Sequence, residues 1–479
     1  MRITFLNPPF LPRYSRAQRS PGVIKSGALY YPYWLAHAAA LCESKGHVID
    51  LCDAPASGVD REATLARIRA FDPGLVIVDT STPSIYTDIE IAGAIKAVLP
   101  HAFVALCGTH ASAKADEALG GTLLSGVLLG EYDMTALELA DALDSGTSPE
   151  SVAGLHLADG TVTAARAMIE DLDALPWIAP IYNRFLNIDH YYFSLASAPM
   201  VMLISGRGCP NQCFFCLYPQ VMHGRRYRTR SPEHLVDEVE YVIKAMPRVR
   251  EIVFEDDTFT ADQERTKRFC DLMLERGLQI PWFANVRVDT RPDTLAYMKR
   301  AGFRSCAVGF ETGAEELLGN MRKGITIDKA KAFMAEAKRL DILVHGCFMV
   351  GFPGETRKTI WDTLNYAIEL EPDSAQFYPV FPYPGTEAYR WAEENSYLRT
   401  TDFRRWLSEE GGHACVIDLP GLPAEELQQF CEQAYRDFHF RPRYLARKLL
   451  QAFRKPSEGW RSFRSFLNYL RSLAKGIAG

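Results

Sequence analysis

The 479-residue chain contains no apolar run approaching the ~20 residues of a membrane-spanning helix. Nor does it open on a leader peptide: Met1-Arg2-Ile3-Thr4-Phe5-Leu6-Asn7 reads as a strand, and a cytoplasmic protein is expected. Paired cysteines are missing. Eight of the eleven (Cys42, Cys52, Cys107, Cys270, Cys306, Cys347, Cys415, Cys431) stand singly among apolar neighbours, as reduced, buried thiols do, which excludes a disulfide framework. A second C-x2-C pair, which a four-ligand zinc site would want, is absent too. The chain has no G-x-G-x-x-G, so a dinucleotide site is disfavoured. What remains, with 47% hydrophobic and 23% charged residues, is an ordinary globular composition long enough for two or three domains.

Residues 1–145 alternate apolar strands with helical stretches. Strands are predicted at Ile3–Asn7, Val48–Cys52, Leu75–Asp79, Phe103–Cys107 and Gly126–Leu129, with helical patterns near 33–45, 60–71, 85–98, 112–119 and 133–144. Strict alternation implies an α/β fold with a doubly wound, Rossmann-like parallel sheet whose ligand sits at the strand carboxyl ends. Those ends carry Asn7-Pro8-Pro9, Asp53-Ala54-Pro55, Thr80-Ser81-Thr82-Pro83-Ser84, Gly108-Thr109-His110-Ala111-Ser112 and Gly130-Glu131. Small and hydroxyl residues there suit a large flat or phosphate-bearing ligand. A connector follows at 146–199, with a hairpin turning at Asp159-Gly160 and an aromatic run at Tyr191-Tyr192-Phe193. It reads either as a linker packed on both neighbours or as part of a lid over their junction.

From 200 to 395 the alternation resumes, with strands at Val201–Ser205, Glu251–Phe254, Trp282–Val286, Ser305–Gly309, Val344–Val350 and Ala375–Val380. Six repeats imply an open, partial (β/α)6 barrel of TIM type, with its chemistry at the strand carboxyl ends. Just after the first strand come Cys209, Cys213 and Cys216, spaced C-x3-C-x2-C. Three thiolates on one loop suit an iron–sulfur cube with one iron left open to a chelating ligand. The later strand ends carry Glu255-Asp256-Asp257, then Asn285 and Arg287, then Gly309-Phe310-Glu311-Thr312-Gly313, then Gly351-Phe352-Pro353-Gly354-Glu355-Thr356. Glycines there let backbone approach a ligand. The run Arg225-Arg226-Tyr227-Arg228-Thr229-Arg230 has the composition of a nucleic-acid patch. It lies, however, in the loop between the cysteines and a helix capped by Ser231, so a local structural and cofactor role is expected, and no nucleic acid.

The cysteine loop resembles the signature of the radical S-adenosylmethionine (SAM) superfamily at all three cysteines. The resemblance implies that Cys209, Cys213 and Cys216 hold a 4Fe–4S cluster whose open iron is chelated by SAM. An electron from an external flavodoxin- or ferredoxin-type donor then yields a 5′-deoxyadenosyl radical. It further implies Phe215 beside the adenine, Glu255 and Asp256 at the SAM amino group, and Asn285 and Arg287 toward its carboxylate and ribose. Glu311, Gly351 and Gly354 complete the expected SAM contacts. The first half, with Leu6-Asn7-Pro8-Pro9 and Gly108-Thr109-His110 ahead of this loop, resembles the cobalamin-binding domain of B12-dependent radical SAM enzymes. That assigns Asn7, Ser81, Thr82, Gly108, His110, Gly130 and Glu131 to cobalamin. The D-x-H-x-x-G motif that supplies a histidine to cobalt elsewhere is absent, so a histidine–cobalt bond is not expected. His110 reads equally as a contact to the nucleotide tail or as a loop histidine with internal partners.

Within that class, Tyr227–Pro232, Asp256–Phe259, Gly351–Thr356 and Pro382–Thr386 are similar to the hopanoid-biosynthesis radical SAM family and to the anaerobic magnesium-protoporphyrin monomethyl ester cyclase. Asn187–Tyr192 and Cys216–Gln220 look nearest the hopanoid family. The resemblance implies radical modification of an unactivated carbon of a small-molecule or lipid substrate, leaning to rearrangement or ring contraction on a hopanoid side chain. Radical C-methylation and oxidative cyclisation are the alternatives. Residues 396–479 read as a helical C-terminal region. Its last forty residues, 440–479, carry ten Lys or Arg against the single acid Glu458, a net +9 in a chain of net −6, so the remainder sums to −15. Phe463, Phe466, Tyr469 and Leu470 recur at helical spacing beside these cations. The pattern fits a helix at an anionic membrane surface, giving peripheral contact with the inner face, or a helix packed on the barrel.

Overall fold

The computed structural model describes residues 1–24, 26–456, 458–464 and 467; Phe466, Tyr469 and Leu470 of the expected tail stripe lie outside them. Two six-stranded sheets organise the chain. The first runs β2-β1-β3-β4-β5-β6, with β1 (Arg2–Asn7), β2 (Val48–Asp53), β3 (Leu75–Thr80), β4 (Phe103–Gly108) and β5 (Gly126–Leu128) parallel. β3 is buried along its whole length, the mark of a strand covered on both faces. Ile91, Ala92 and Ile95 of helix Ile85–Val98 cover one face of this sheet, and Ala36, Ala39 and Ala40 of helix Tyr33–Ser44 belong to the core on the other.

The connector differs from expectation at its start. Leu155–Leu157 is β6, antiparallel to β5, and Thr163 N donates to Leu155 O at 2.9 Å after the Asp159-Gly160 turn. The hairpin therefore completes the first sheet, because the open edge of β5 offers backbone groups that need partners.

The second sheet runs β14-β13-β12-β11-β10-β7, every strand parallel and beside its sequence neighbour. It comprises β7 (Met200–Leu203), β10 (Glu251–Phe254), β11 (Trp282–Val286), β12 (Phe303–Glu311), β13 (Leu343–Val350) and β14 (Ser374–Pro379), with a small ribbon of β8 (Gly206–Arg207) and β9 (Arg228–Thr229) beside β7. It is open between β7 and β14, the partial barrel that six repeats imply. The helix starts are written in side chains: Ser231, Asp262, Thr326 and Thr356 accept from the N–H groups of His234, Arg265, Lys329 and Thr359. Each capped helix returns the chain, so all six carboxyl ends meet at one rim.

The halves share one continuous apolar core. A buried ion network also crosses between them. Arg207 Nη1 lies 2.7 Å from Glu131 and 2.7 Å from Asp133, and Arg228 lies 2.7 Å from the other oxygen of Glu131. The C-terminal region is not helical from its start. Gly411, Gly412, Pro420 and Gly421 break residues 396–423 into a folded-back segment, in which Val23 N donates to Gly411 O at 2.9 Å. Its Phe403 and Trp406 form a separate apolar cluster with Ile85, Tyr383 and Tyr389. Helices Ala424–His439 and Pro442–Arg454 follow. No helix among the described residues is long and apolar enough to cross a membrane.

Candidate active site

The cysteine loop is fixed from behind. Gly208 has φ +82°, and a Cβ there would overlap the Arg226 carbonyl, so the turn into Cys209 requires glycine. Gln220 Nε2 donates to Phe214 O (2.9 Å) and Cys216 O (2.8 Å), and Arg225 donates to the carbonyls of Asn211 and Cys213. Asn211 Nδ2 donates to Cys209 Sγ at 3.3 Å. Burial, then Asp257, Cys213 and Cys209, push the Cys216 thiol up, so the three thiols share one electrostatic environment. Among the described residues no three His, Cys, Asp or Glu converge on a single ion position. A cube asks for something else, each thiolate on a separate iron, and a bound cluster keeps its thiols deprotonated. The donor set fits.

The second sheet's carboxyl ends surround this loop. Glu255 is buried; Oε1 pairs with Arg19, and Oε2 has no partner. Glu311 sits at φ +62°, its Oε1 accepting from Lys323 Nζ at 2.6 Å and its Oε2 again without a partner. Gly309 leaves room for that pair, since a Cβ there would overlap Glu311 Oε1. Asn285 Nδ2 donates to Asp256 O at 3.2 Å, and Arg287 is held by Asp289 and by Lys323 O at 3.2 Å. Phe215 is half-buried, 5.5 Å from the ring of Phe352. Gly351 (φ +94°) and Gly354 (φ +89°) shape the turn beside it.

Asp256 corrects the expectation. It turns away from the rim, and Ser205 N (2.6 Å) and Ser205 Oγ occupy its two oxygens. Its role is to fix the end of β7, because the first residue past a strand and the next point to opposite sides.

The barrel's inner face is open. Ala307, Gly309, His345, Cys347 and Tyr378 are half-buried and Gln376 is exposed, while the alternating Val308, Phe310, Gly346, Phe348, Ala375 and Phe377 are buried. Burial pushes the Cys347 thiol up to about 12; Glu311, Lys323, Arg19 and Glu255 are its charged neighbours. Burial likewise raises the Tyr378 hydroxyl, beside Cys347, Glu311, Arg19 and Cys216. Strands four to six thus aim into the space between Glu255, Glu311 and the cysteines.

At the first sheet's ends, three expected contacts prove to be internal. Asn7 donates to Asp53 Oδ1 (2.8 Å) and accepts from Arg16 Nη1 (2.7 Å). Ser81 Oγ pairs with Tyr14 and Ser84, each at 2.8 Å. Glu131 sits in the network of Arg207 and Arg228; burial opposes its charge, yet Arg207, His223 and Arg228 hold it down at about 2. These side chains each have protein partners that fix their position at the rim. Gly130 (φ +61°) turns the chain past the Val221 and Met222 carbonyls.

The others remain available. Gly108 (φ +102°) lies against Thr80, where a Cβ would come within 2.5 Å of the carbonyl. Thr82 Oγ1 meets His110 Nδ1 at 3.1 Å, while His110 Nε2 is buried without a partner and the ring stands edge-on to Phe403 at 4.7 Å. Burial, then Lys114, lowers His110 to about 3, so it is neutral. Sequence reasoning missed Phe403 and Trp406, and also Tyr14, Arg16 and Arg19 in the loop after β1. The three arginines in that loop, Arg13, Arg16 and Arg19, were its only signal.

Buried polar atoms without partners cost about 1–3 kcal/mol each. His110 Nε2, Glu255 Oε2 and Glu311 Oε2 all lie at the expected cofactor positions. The residues present therefore fit ligands at both rims.

Comparison with known proteins agrees. The radical SAM superfamily profile matches residues 203–367, and the B12 binding domain profile matches residues 19–139. An uncharacterized methyltransferase of Pyrococcus horikoshii is 28% identical over 425 residues, 88% of this chain and 90% of that one. The anaerobic magnesium-protoporphyrin IX monomethyl ester cyclase of Cereibacter sphaeroides is 28% identical over 81% of this chain, which spans 63% of the cyclase. Cytidylyl-2-hydroxyethylphosphonate methyltransferase of Streptomyces wedmorensis is 24% identical over 86% of both. Among solved structures, the radical SAM methyltransferase TsrM of Kitasatospora setae superposes with TM-score 0.71 at 18% identity, over 90% of this chain and 88% of that one. The cobalamin-dependent radical enzyme OxsB superposes with TM-score 0.71 at 14% identity, over 97% and 72%. With its cysteine loop, its two rims and these matches, the chain is an enzyme that joins a B12 binding domain to a radical SAM domain, with a 4Fe–4S cluster, SAM and cobalamin as its cofactors.

Proposed function

We propose that this enzyme places a methyl group on an unactivated carbon of a small-molecule substrate. One observation carries the reading. Two methyltransferase relatives are matched over 90% and 86% of their length, whereas the two cyclases are matched over 63% and 72%. In this reading Cys209, Cys213 and Cys216 hold the cluster, Glu255 Oε2 accepts from the SAM amino group, and Glu311 Oε2 accepts from a ribose hydroxyl. Thr82, Gly108 and His110 line the cobalamin, with Phe403 above them. When bound, these groups supply the electron that splits SAM and the methyl that is transferred. Asn285 and Arg287 lie toward SAM, and Gln376, Cys347 and Tyr378 orient the substrate in the lumen. Cys347 and Tyr378, both raised by burial, stay protonated at neutral pH and donate hydrogen bonds.

A lipid substrate, such as the hopanoid side chain suggested by the sequence motifs, draws support from a second observation. Helix Pro442–Arg454 docks through Tyr444, whose hydroxyl donates to Asp373 O (2.9 Å), and through Arg447, which donates to Glu371 O (2.8 Å). Its opposite face presents Leu445, Leu449, Leu450 and Phe453 to solvent, Phe453 at 84% exposure, and Trp460 and Phe463 follow. A helix held on the barrel through its apolar stripe would bury these residues. With the net +9 of residues 440–479, the face suits an anionic bilayer. Sedimentation with phosphatidylglycerol vesicles should retain the wild type and release Leu449→Ser/Phe453→Ser. Equal retention by phosphatidylcholine, or by the double variant, would overturn the membrane contact.

The reaction is tested by anaerobic incubation of the reconstituted protein with SAM, cobalamin, a reductant and a bacteriohopanepolyol glycoside, read by mass spectrometry. A product about 14 mass units heavier, with S-adenosylhomocysteine and 5′-deoxyadenosine, supports methyl transfer. An isomeric or oxidised product moves the reading to rearrangement or cyclisation. Absence of 5′-deoxyadenosine sinks the radical reading.

A further inference from the structure

The loop from Pro8 to Pro32 touches both rims within six residues. Tyr14 reaches Ser81, and Arg16, fully buried, reaches Asn7 Oδ1 (2.7 Å), Pro8 O (2.8 Å) and, on helix Ile85–Val98, Asp88 Oδ1 (2.5 Å), all in the first half of the chain. Ala17 O accepts from Tyr218 Oη at 2.6 Å, two residues past the last cysteine. Arg19 then crosses to the end of β10. Its Nη1 pairs with Glu255 Oε1, and its Nη2 donates to Asp256 O (2.6 Å) and Glu255 O (3.2 Å) and stands 3.7 Å from Asp257.

The Arg19 side chain is one-third exposed, so part of it stays accessible beside these acceptors. The methionyl end of SAM bears one ammonium and one carboxylate. Glu255 Oε2, buried and unpaired, answers the first; the open edge of the guanidinium answers the second. We propose that Arg19 is an interdomain positioning residue that sets the Glu255 carboxylate for SAM and links SAM binding to cobalamin binding through residues 14–19. The inference rests on the cofactor assignment above. Filling the first rim fixes Tyr14 and Arg16; that fixes Arg19, and Glu255 is then held before SAM arrives.

The test is direct binding to the full-length, cluster-reconstituted protein under anaerobic conditions. SAM affinity is measured by equilibrium dialysis with and without cobalamin, and cobalamin affinity by visible absorbance. The variants are Arg19→Met and Arg19→Lys, with iron content and thermal melting as the folding check. Wild type should bind SAM several-fold more tightly when cobalamin is present. Arg19→Met should weaken SAM binding about tenfold and erase the cobalamin dependence, while Arg19→Lys should keep part of both. An Arg19→Met protein with wild-type SAM affinity, or with the cobalamin dependence intact, overturns the latch alone. A wild type that binds no SAM overturns the cofactor assignment and the latch with it. If Arg19→Met loses its cluster, Arg19→Lys decides: undiminished SAM affinity and cobalamin dependence would overturn the proposal.

Discussion

The two rims are built from the same βα unit yet handle polar groups in opposite ways. At the first sheet's end the side chains answer one another: Asn7 with Asp53, Tyr191 with Asp53, Arg16 with Asp88, Ser81 with Tyr14. Phe403 and Trp406 close over them. Only His110 Nε2 is left open there among the site residues discussed. At the second sheet's end, Glu255 and Glu311 each keep an unpaired oxygen beside a cation, and the lumen behind them is open. A rim saturated from within can hold a ligand only by shape, backbone and apolar cover. A rim with unpaired charge selects a ligand by its charges. The first arrangement suits a broad macrocycle, the second a zwitterion.

The comparison breaks most severely at the cysteine loop. Cys213→Ala should abolish the visible iron–sulfur absorbance and SAM cleavage while leaving cobalamin binding to the first rim intact; loss of both would mean that the rims are not separable. Next comes the ion network between the halves. Arg207→Met strands the buried carboxylate of Asp133 and leaves Glu131 with Arg228 alone, which should cost about 3–5 kcal/mol in denaturant unfolding. A loss below about 1 kcal/mol would show that the apolar interface alone joins the halves.

How far sequence carried the structure depends on where a residue's partner lies. Strands such as Leu75–Thr80 and Glu251–Phe254 are legible because burial on both faces writes a continuous apolar run, and the helices announce themselves through Ser231, Asp262, Thr326 and Thr356. The cysteines are legible because their spacing is local. Glu255 and Asp256 are adjacent acids that local pattern cannot rank; only the end of β10 decides that one faces the rim and the other Ser205. Arg19 and Phe403 are less legible still, since their partners lie 236 and roughly 290 residues away in the chain. Glu131 read as a ligand because it follows a strand end, and it pairs with Arg207 and with Arg228, the latter in the arginine run beside the cysteines.

The apolar cover offers a milder perturbation. Phe403→Ala removes the ring that meets His110 edge-on and should weaken cobalamin binding about tenfold, with SAM affinity unchanged. Equal weakening of both would place Phe403 in general packing and remove it from the first rim.

The smallest effect separates the two ways of burying a carboxylate. Burial, then Asp88 and Asp53 against the pull of Arg16, raises Asp79 from 3.8 to about 7, whereas Glu131 is held down from 4.5 to about 2. Asp79 binds its proton more tightly folded than unfolded. Its contribution is therefore full below pH about 4 and is lost as pH rises toward 7. Glu131 runs the other way: its contribution is full above pH about 4.5 and is lost only as pH falls toward 2. Between pH 5 and 7 only Asp79 of this pair titrates in the folded protein, and it should lower stability by about 2 kcal/mol across that span. Asp79→Asn, measured by thermal melting at both pH values, should flatten the slope without touching the cluster. An unchanged slope would mean that Arg16 keeps Asp79 ionised, and the first rim would then carry unpaired charge as the second does.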